Sequence, residues 1–153
     1  MIVVSDTSPL TALLRVGAAD ILPQLFKEVI IPEAVREELR RSHAQLPPWL
    51  RVTAVENQEQ ARAYAQIVDA GEAEAIELAR ELHADQLLMD ERKGRRLAAR
   101  EGVPVIGLLG VVLLARRNRT IPSARALIER LQQEAGMYLA EDIKEAALIS
   151  VGE

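Results

Sequence analysis

Apolar residues along the chain follow two rhythms. Short unbroken runs, "IVVS", "EVII", "QLLM" and "PVIG", do not alternate with polar residues, as expected of strands buried on both faces of a parallel sheet. Between them, apolar residues recur every third or fourth position, the period of amphipathic helices. "PLTALLRVG" reads as a helix closed by Gly17, and "ADILPQLF" as a segment carrying the chain across the sheet. "EVIIP" is the next strand, with Pro32 opening the helix "PEAVREELRR", where its missing N–H costs nothing. "SHAQLPPWL" is a loop by composition, with Trp49 as its packing anchor, and "RVTAV" is a short strand. The helix "NQEQARAYAQIV" follows and leads to Asp69-Ala70-Gly71. From Gly71 the pattern runs helix "EAEAIELARELH", strand "QLLMD", helix "ERKGRRLAAREG", strand "PVIG" and helix "LLGVVLLARRN", with helices from Pro122 onward. Strands separated by helices predict a three-layer α/β/α fold around a central parallel sheet, with right-handed crossovers.

Size and composition narrow this picture. With 153 residues and 49% hydrophobic content, one core can bury most of the chain, so residues 1–153 are expected to form a single domain. The net charge of −4 argues against a surface that attracts nucleic acid everywhere, yet leaves room for a local basic patch. Cysteine is absent, which excludes disulfides, thiolate nucleophiles and zinc–thiolate sites. The longest apolar stretch, "GVPVIGLLGVVLLA", is shorter than the roughly 20 residues needed to span a bilayer. A cytoplasmic protein without a membrane partner is the expectation. His43 and His83 lack ligand-spaced neighbours and read as structural or solvated residues.

The candidate chemistry sits at strand ends. Asp6 follows "IVVS" and Asp90 ends "QLLMD". Asp6 or Ser8 could simply cap the helix begun by Pro9. Alternatively, the carboxyl ends of parallel strands share one edge, where open α/β sheets place their active sites, so Asp6 and Asp90 can converge there. Two helices offer further acids. Glu38 lies at the inner border of the face marked by Ala34, Val35 and Leu39. Glu72 and Glu74 flank the stripe Ala75, Leu78, Ala79 and Leu82 about 200° apart, so only one of them is expected deep in a site. Converging carboxylates repel, and such a cluster usually exists around a cation. Oxygen donors without histidine or cysteine suit Mg²⁺ or Mn²⁺, and ions of that kind commonly serve phosphodiester hydrolysis.

In their order and spacing, "IVVSDTSPL", "VREEL", "GEAEAIELA" and "LLMDERKGRRLA" resemble the acidic motifs of PIN-domain ribonucleases, in particular the VapC-like branch and its prokaryotic relatives. "PVIGLLGVVLLARRNRTI" and "LISVGE" are similar to the same relatives, so the resemblance covers nearly the whole chain. It implies a PIN-like fold and a Mg²⁺- or Mn²⁺-dependent endoribonuclease acting on RNA. It further implies Asp6, Glu38, Glu74 and Asp90 as metal-site carboxylates and Ser8 beside the first of them. The "GEAEA" run is also similar to the acidic motif of flap endonucleases, in which both glutamates belong to the site, so Glu72 is the second-rank candidate. A homodimer and a cognate antitoxin are implied partners. Glu91-Arg92 stands after Asp90 where VapC toxins commonly carry a hydroxyl residue and an aspartate.

A basic stripe adds substrate chemistry. Arg92, Arg96 and Arg100 recur at every fourth residue from the end of the "QLLMD" strand, with Lys93 adjoining, and arginine forks bind phosphate bidentately. The alternative is a solvated face paired with Glu91 and Glu101. Two other readings of the chain compete. An aspartate-based phosphatase wants a second acid two residues after Asp6, where Ser8 stands, and a receiver domain wants a lysine after a late strand, which "PVIG" does not supply. A non-catalytic PIN-like binding or regulatory module is the remaining alternative.

Overall fold

The computed structural model describes residues 1–153. Its centre is β1 (Ile2–Ser5), which pairs in parallel with β2 (Glu28–Ile31) on one side and β4 (Gln86–Leu88) on the other. β3 (Leu50–Val52) extends the sheet beyond β2, and β5 (Val105–Ile106) extends it beyond β4, giving the order β3-β2-β1-β4-β5. All pairings are parallel, so every strand ends on the same edge.

Successive strand residues face opposite layers, and both layers are apolar. Val3, Val29, Ile31 and Leu88 belong to one cluster, shared with α1 (Thr7–Arg15), α2 (Ile21–Leu25), α3 (Glu33–Ser42), α7 (Leu108–Arg117), α8 (Ala124–Glu134) and α9 (Glu141–Ser150). Val4, Ile30, Leu87 and Met89 belong to the other, shared with α4 (Gln58–Tyr64), α5 (Ala70–Glu81) and α6 (Arg92–Arg100). Burial on both faces is why the strand runs do not alternate in sequence, and the three-layer α/β/α architecture with its parallel sheet is the one expected.

Three local features depart from the sequence reading. α1 begins at Thr7, ahead of Pro9. Ile21–Leu25 is a short helix despite Pro23, because proline is tolerated in a first turn whose N–H groups need no intrahelical partner. The "LISVGE" tail ends in a capping role: the Glu153 carboxylate accepts from Ala124 N–H (2.6 Å), Arg125 N–H (3.2 Å), Ser123 Oγ (3.0 Å) and Arg116 Nε (3.0 Å). Trp49 anchors its loop as expected, donating from Nε1 to Asp20 Oδ1 at 3.0 Å. No helix is long and apolar enough to cross a membrane.

Candidate active site

The sheet positions Asp6 first. Its backbone N–H donates to Leu88 O at 2.9 Å, continuing the β1–β4 ladder one residue past the strand and fixing where the side chain leaves the chain. Asp6 occupies the N-cap position of α1, yet no side-chain cap bond forms, so the capping role open to Asp6 or Ser8 in the sequence is not filled. The Asp6 carboxyl is instead buried, 5% exposed. Burial pushes its pKa from the ordinary range up to about 7, a hydrogen bond to the Thr7 backbone opposes this, and the charges of Asp69, Glu38 and Asp90 add to the rise.

The acids that act on Asp6 come from both sides of it. Glu38, six residues after Pro32 and half-buried, projects from α3. Its Oε1 lies where a Cβ on Gly71 would come within 2.6 Å of it, so the bare first turn of α5 is what lets this carboxylate approach. Asp69 and Glu72 form a capping box at the start of α5: Glu72 N–H donates to Asp69 Oδ1 (2.8 Å) and Asp69 N–H donates to Glu72 Oε1 (3.0 Å). Glu72 is 7% exposed, and burial, with the neighbouring Asp69 and Asp6, pushes its pKa up to about 7. Asp90 follows β4, and its Oδ1 accepts from Leu108 N–H at 2.8 Å, at the N-terminus of α7. Here too a glycine makes room, since a Cβ on Gly107 would stand 3.0 Å from that oxygen and 2.6 Å from the Arg95 guanidinium.

The two glutamates of α5 are placed differently, and a further acid stands beside them. Glu74, ranked above Glu72 in the sequence, turns its Oε1 to the Ala34 N–H (3.1 Å) and helps satisfy the open N-terminus of α3, whereas Glu72 is the buried member facing Asp6. The helical period separates the two glutamates, but only the neighbours of α5 decide which one points inward. Asp69 was missed because an Asp three residues before a Glu reads as a helix start, and here the same pair caps the helix and joins the acid cluster.

The basic residues also sort differently. Arg92 and Arg96 line a cavity of about 680 Å³ together with Asp90 and Arg95, beside β5. Lys93, Arg96 and Arg100 line a second cavity of about 500 Å³ with Gln66 and Ile67. The stripe is therefore divided between two hollows that share Arg96, and Arg100 stands away from Asp90. Arg95 lies outside the four-residue spacing and became visible only with β5 in place; its guanidinium donates to Met89 O at 3.1 Å. Ser8 is exposed and, with Asp90, lines a third, mostly apolar cavity.

This arrangement concentrates negative charge from oxygen donors at the carboxyl edge of the sheet. As placed, no group of three or more histidine, aspartate and glutamate side chains stands close enough to enclose a metal ion. The donors nonetheless fit a hard cation that keeps much of its water, because Mg²⁺ is usually held through one or two carboxylates rather than in an all-protein cage.

The family model DUF3368, described as a PIN domain, matches residues 2–153. The chain belongs to the PIN-domain family. No curated protein matches it. PIN domains are typically nucleases and typically bind Mg²⁺. In this PIN domain, Gly71→Ala tests the approach of Glu38 directly. The new methyl group meets a flexible carboxylate end, and alanine is the better helix former. The variant is expected to melt at or above the wild-type temperature while losing cation affinity. Unchanged cation affinity at equal stability would show that the position of Glu38 does not matter.

Proposed function

We propose that this PIN domain is a Mg²⁺- or Mn²⁺-dependent endoribonuclease. The observation that carries the proposal is the buried Asp6 at the end of the central strand, surrounded by Glu38, Asp69, Glu72 and Asp90 from the neighbouring elements. Asp6, Glu38, Glu72 and Asp90 would supply the oxygen donors, one or two of them to the ion itself and the others through water that it keeps, with Glu74 positioning α3 behind Glu38. When bound, such an ion supplies water activation and charge stabilisation at the leaving oxygen. The chain's own groups do the rest. Asp6 and Glu72 hold protons near neutrality and give them up as a cation arrives, so ion binding releases protons. Arg92, Arg95 and Arg96, on the Asp90 side, clamp the phosphates next to the scissile one with planar guanidinium forks. In the reaction, a water oxygen bonds to phosphorus and gives up a proton to solvent, the bond from phosphorus to the leaving ribose oxygen breaks, and that oxygen takes up a proton from solvent.

Cleavage of single-stranded RNA should require Mg²⁺ or Mn²⁺, stop in EDTA and return with excess Mg²⁺. Cleavage that persists in EDTA would overturn the metal-dependent reading. RNA binding without cleavage in either ion would identify a non-catalytic module. The likeness to the VapC branch extends the proposal to a cytoplasmic, homodimeric toxin held in check by an antitoxin, and a neighbouring gene for a small DNA-binding protein is the observation that separates it from a stand-alone ribonuclease.

A further inference from the structure

Asp90 stands between two cavities of opposite character. On one side lie Arg92, Arg95 and Arg96. On the other, a cavity of about 380 Å³ is lined by Ser8, Asp90 and an apolar set that includes Leu108, Leu109, Met137 and Tyr138. That volume falls near the lower end of small-ligand clefts, about 300–1,000 Å³. Aromatic residues are scarce, 3% of the chain, which makes their placement informative. Phe26 and Tyr64 are buried, and Trp49 is half-buried with its Nε1 committed to Asp20. Tyr138, in the connection between α8 and α9, is 90% exposed at this cavity.

We propose that this cavity takes a nucleobase of the substrate strand, with Tyr138 as the surface on which the base stacks. The proposal rests on the ribonuclease reading and assigns that site a base subsite. Within a nucleotide, the phosphate and the base leave opposite ends of the ribose. A strand crossing Asp90 can therefore place phosphates against the arginines while an adjoining base turns into the apolar hollow. Charge complementarity selects this occupant, because the cationic side of Asp90 fits a polyanion, and the apolar side presents a π face, which bases of any identity can stack on. The Ser8 hydroxyl, both donor and acceptor, is the uncharged polar side chain besides the Tyr138 phenol that is available to a base edge there.

The test measures binding by the Asp6→Asn chain in EDTA, conditions in which the ribonuclease reading expects RNA to survive the measurement, of a short oligouridylate and of an abasic oligomer of equal length and charge. Tyr138 is exposed, so its replacement leaves the core untouched. Tyr138→Ala is expected to weaken oligouridylate binding by roughly tenfold or more, the effect of losing one stacked base. Tyr138→Phe should keep the affinity, and the abasic oligomer should bind both chains alike. Equal oligouridylate binding with and without the ring would overturn the base subsite and leave the ribonuclease reading standing. Failure of either oligomer to bind any of these chains would overturn both. A change in oligomeric state in Tyr138→Ala, read by sedimentation, would make the cavity a contact between copies and overturn the proposal as well.

Discussion

Asp6→Asn is expected to lower RNA cleavage about 100-fold or more and at the same time to stabilise the protein above pH 7. The loss follows from removing the charge at the best-buried carboxyl of the cluster, where a preorganised electrostatic contact is worth most. The gain follows from linkage. Asp6 has a folded-state pKa of about 7 against about 4 in the unfolded chain, so ionising it costs folding free energy. That cost is absent below about pH 4, grows between about pH 4 and 7, and is complete above. Asparagine keeps the shape and never bears the charge. The variant and the wild type should therefore melt alike near pH 4 and diverge as pH rises. Wild-type cleavage by the variant would remove Asp6 from the site, and a stability difference that is the same at pH 4 and pH 8 would trace the effect to hydrogen bonding instead of charge.

The second large effect is expected from the cation itself. At about a hundredfold excess over Kd, a ligand that binds only the folded state contributes about 2.7 kcal/mol. For a chain of 153 residues this corresponds to a rise in Tm of about 5–10 °C. At pH 8, where Asp6 and Glu72 are ionised, Mg²⁺ should give the full rise, and at pH 5, where both hold protons in the folded protein, much less. Removing the ion with EDTA at pH 8 should return the lower Tm. Equal shifts at both pH values, with binding to the unfolded chain controlled for, would show that the ion binds elsewhere than at these two carboxyls.

The sequence carried the strands and the strand-end acids because burial on two faces and a polar residue closing an apolar run are local signals. Asp6 and Asp90 could be named from them, and Glu38 from its place at the border of a helical face. What the sequence lacked was sideways information. Nothing in "GEAEA" says that α3 lies against the Glu74 side of α5, and that neighbour is what draws Glu74 away and leaves Glu72 inside. Arg95 and the split of the arginine stripe depend on β5 as the neighbour of β4, a pairing made after a helical excursion. Asp69 was concealed by a double role, since a residue that fully explains a helix start gives no sign of a second use. Tyr138 sits in a segment without periodicity, where only the surrounding helices reveal that its ring is left outside.

The capping box also makes the start of α5 a reporter. The Asp69 amide proton is held by Glu72 Oε1 and the Glu72 amide proton by Asp69 Oδ1, so the first turn of the helix is closed by the same two carboxylates whose charges are felt at Asp6. An ion that draws Glu72 toward itself gives up one of these locks, and a proton on Glu72 weakens it as an acceptor. Deuterium uptake at these two amides therefore tracks the electrostatic state of the cluster without any substrate, and it can be followed in a chain whose cleavage has been silenced.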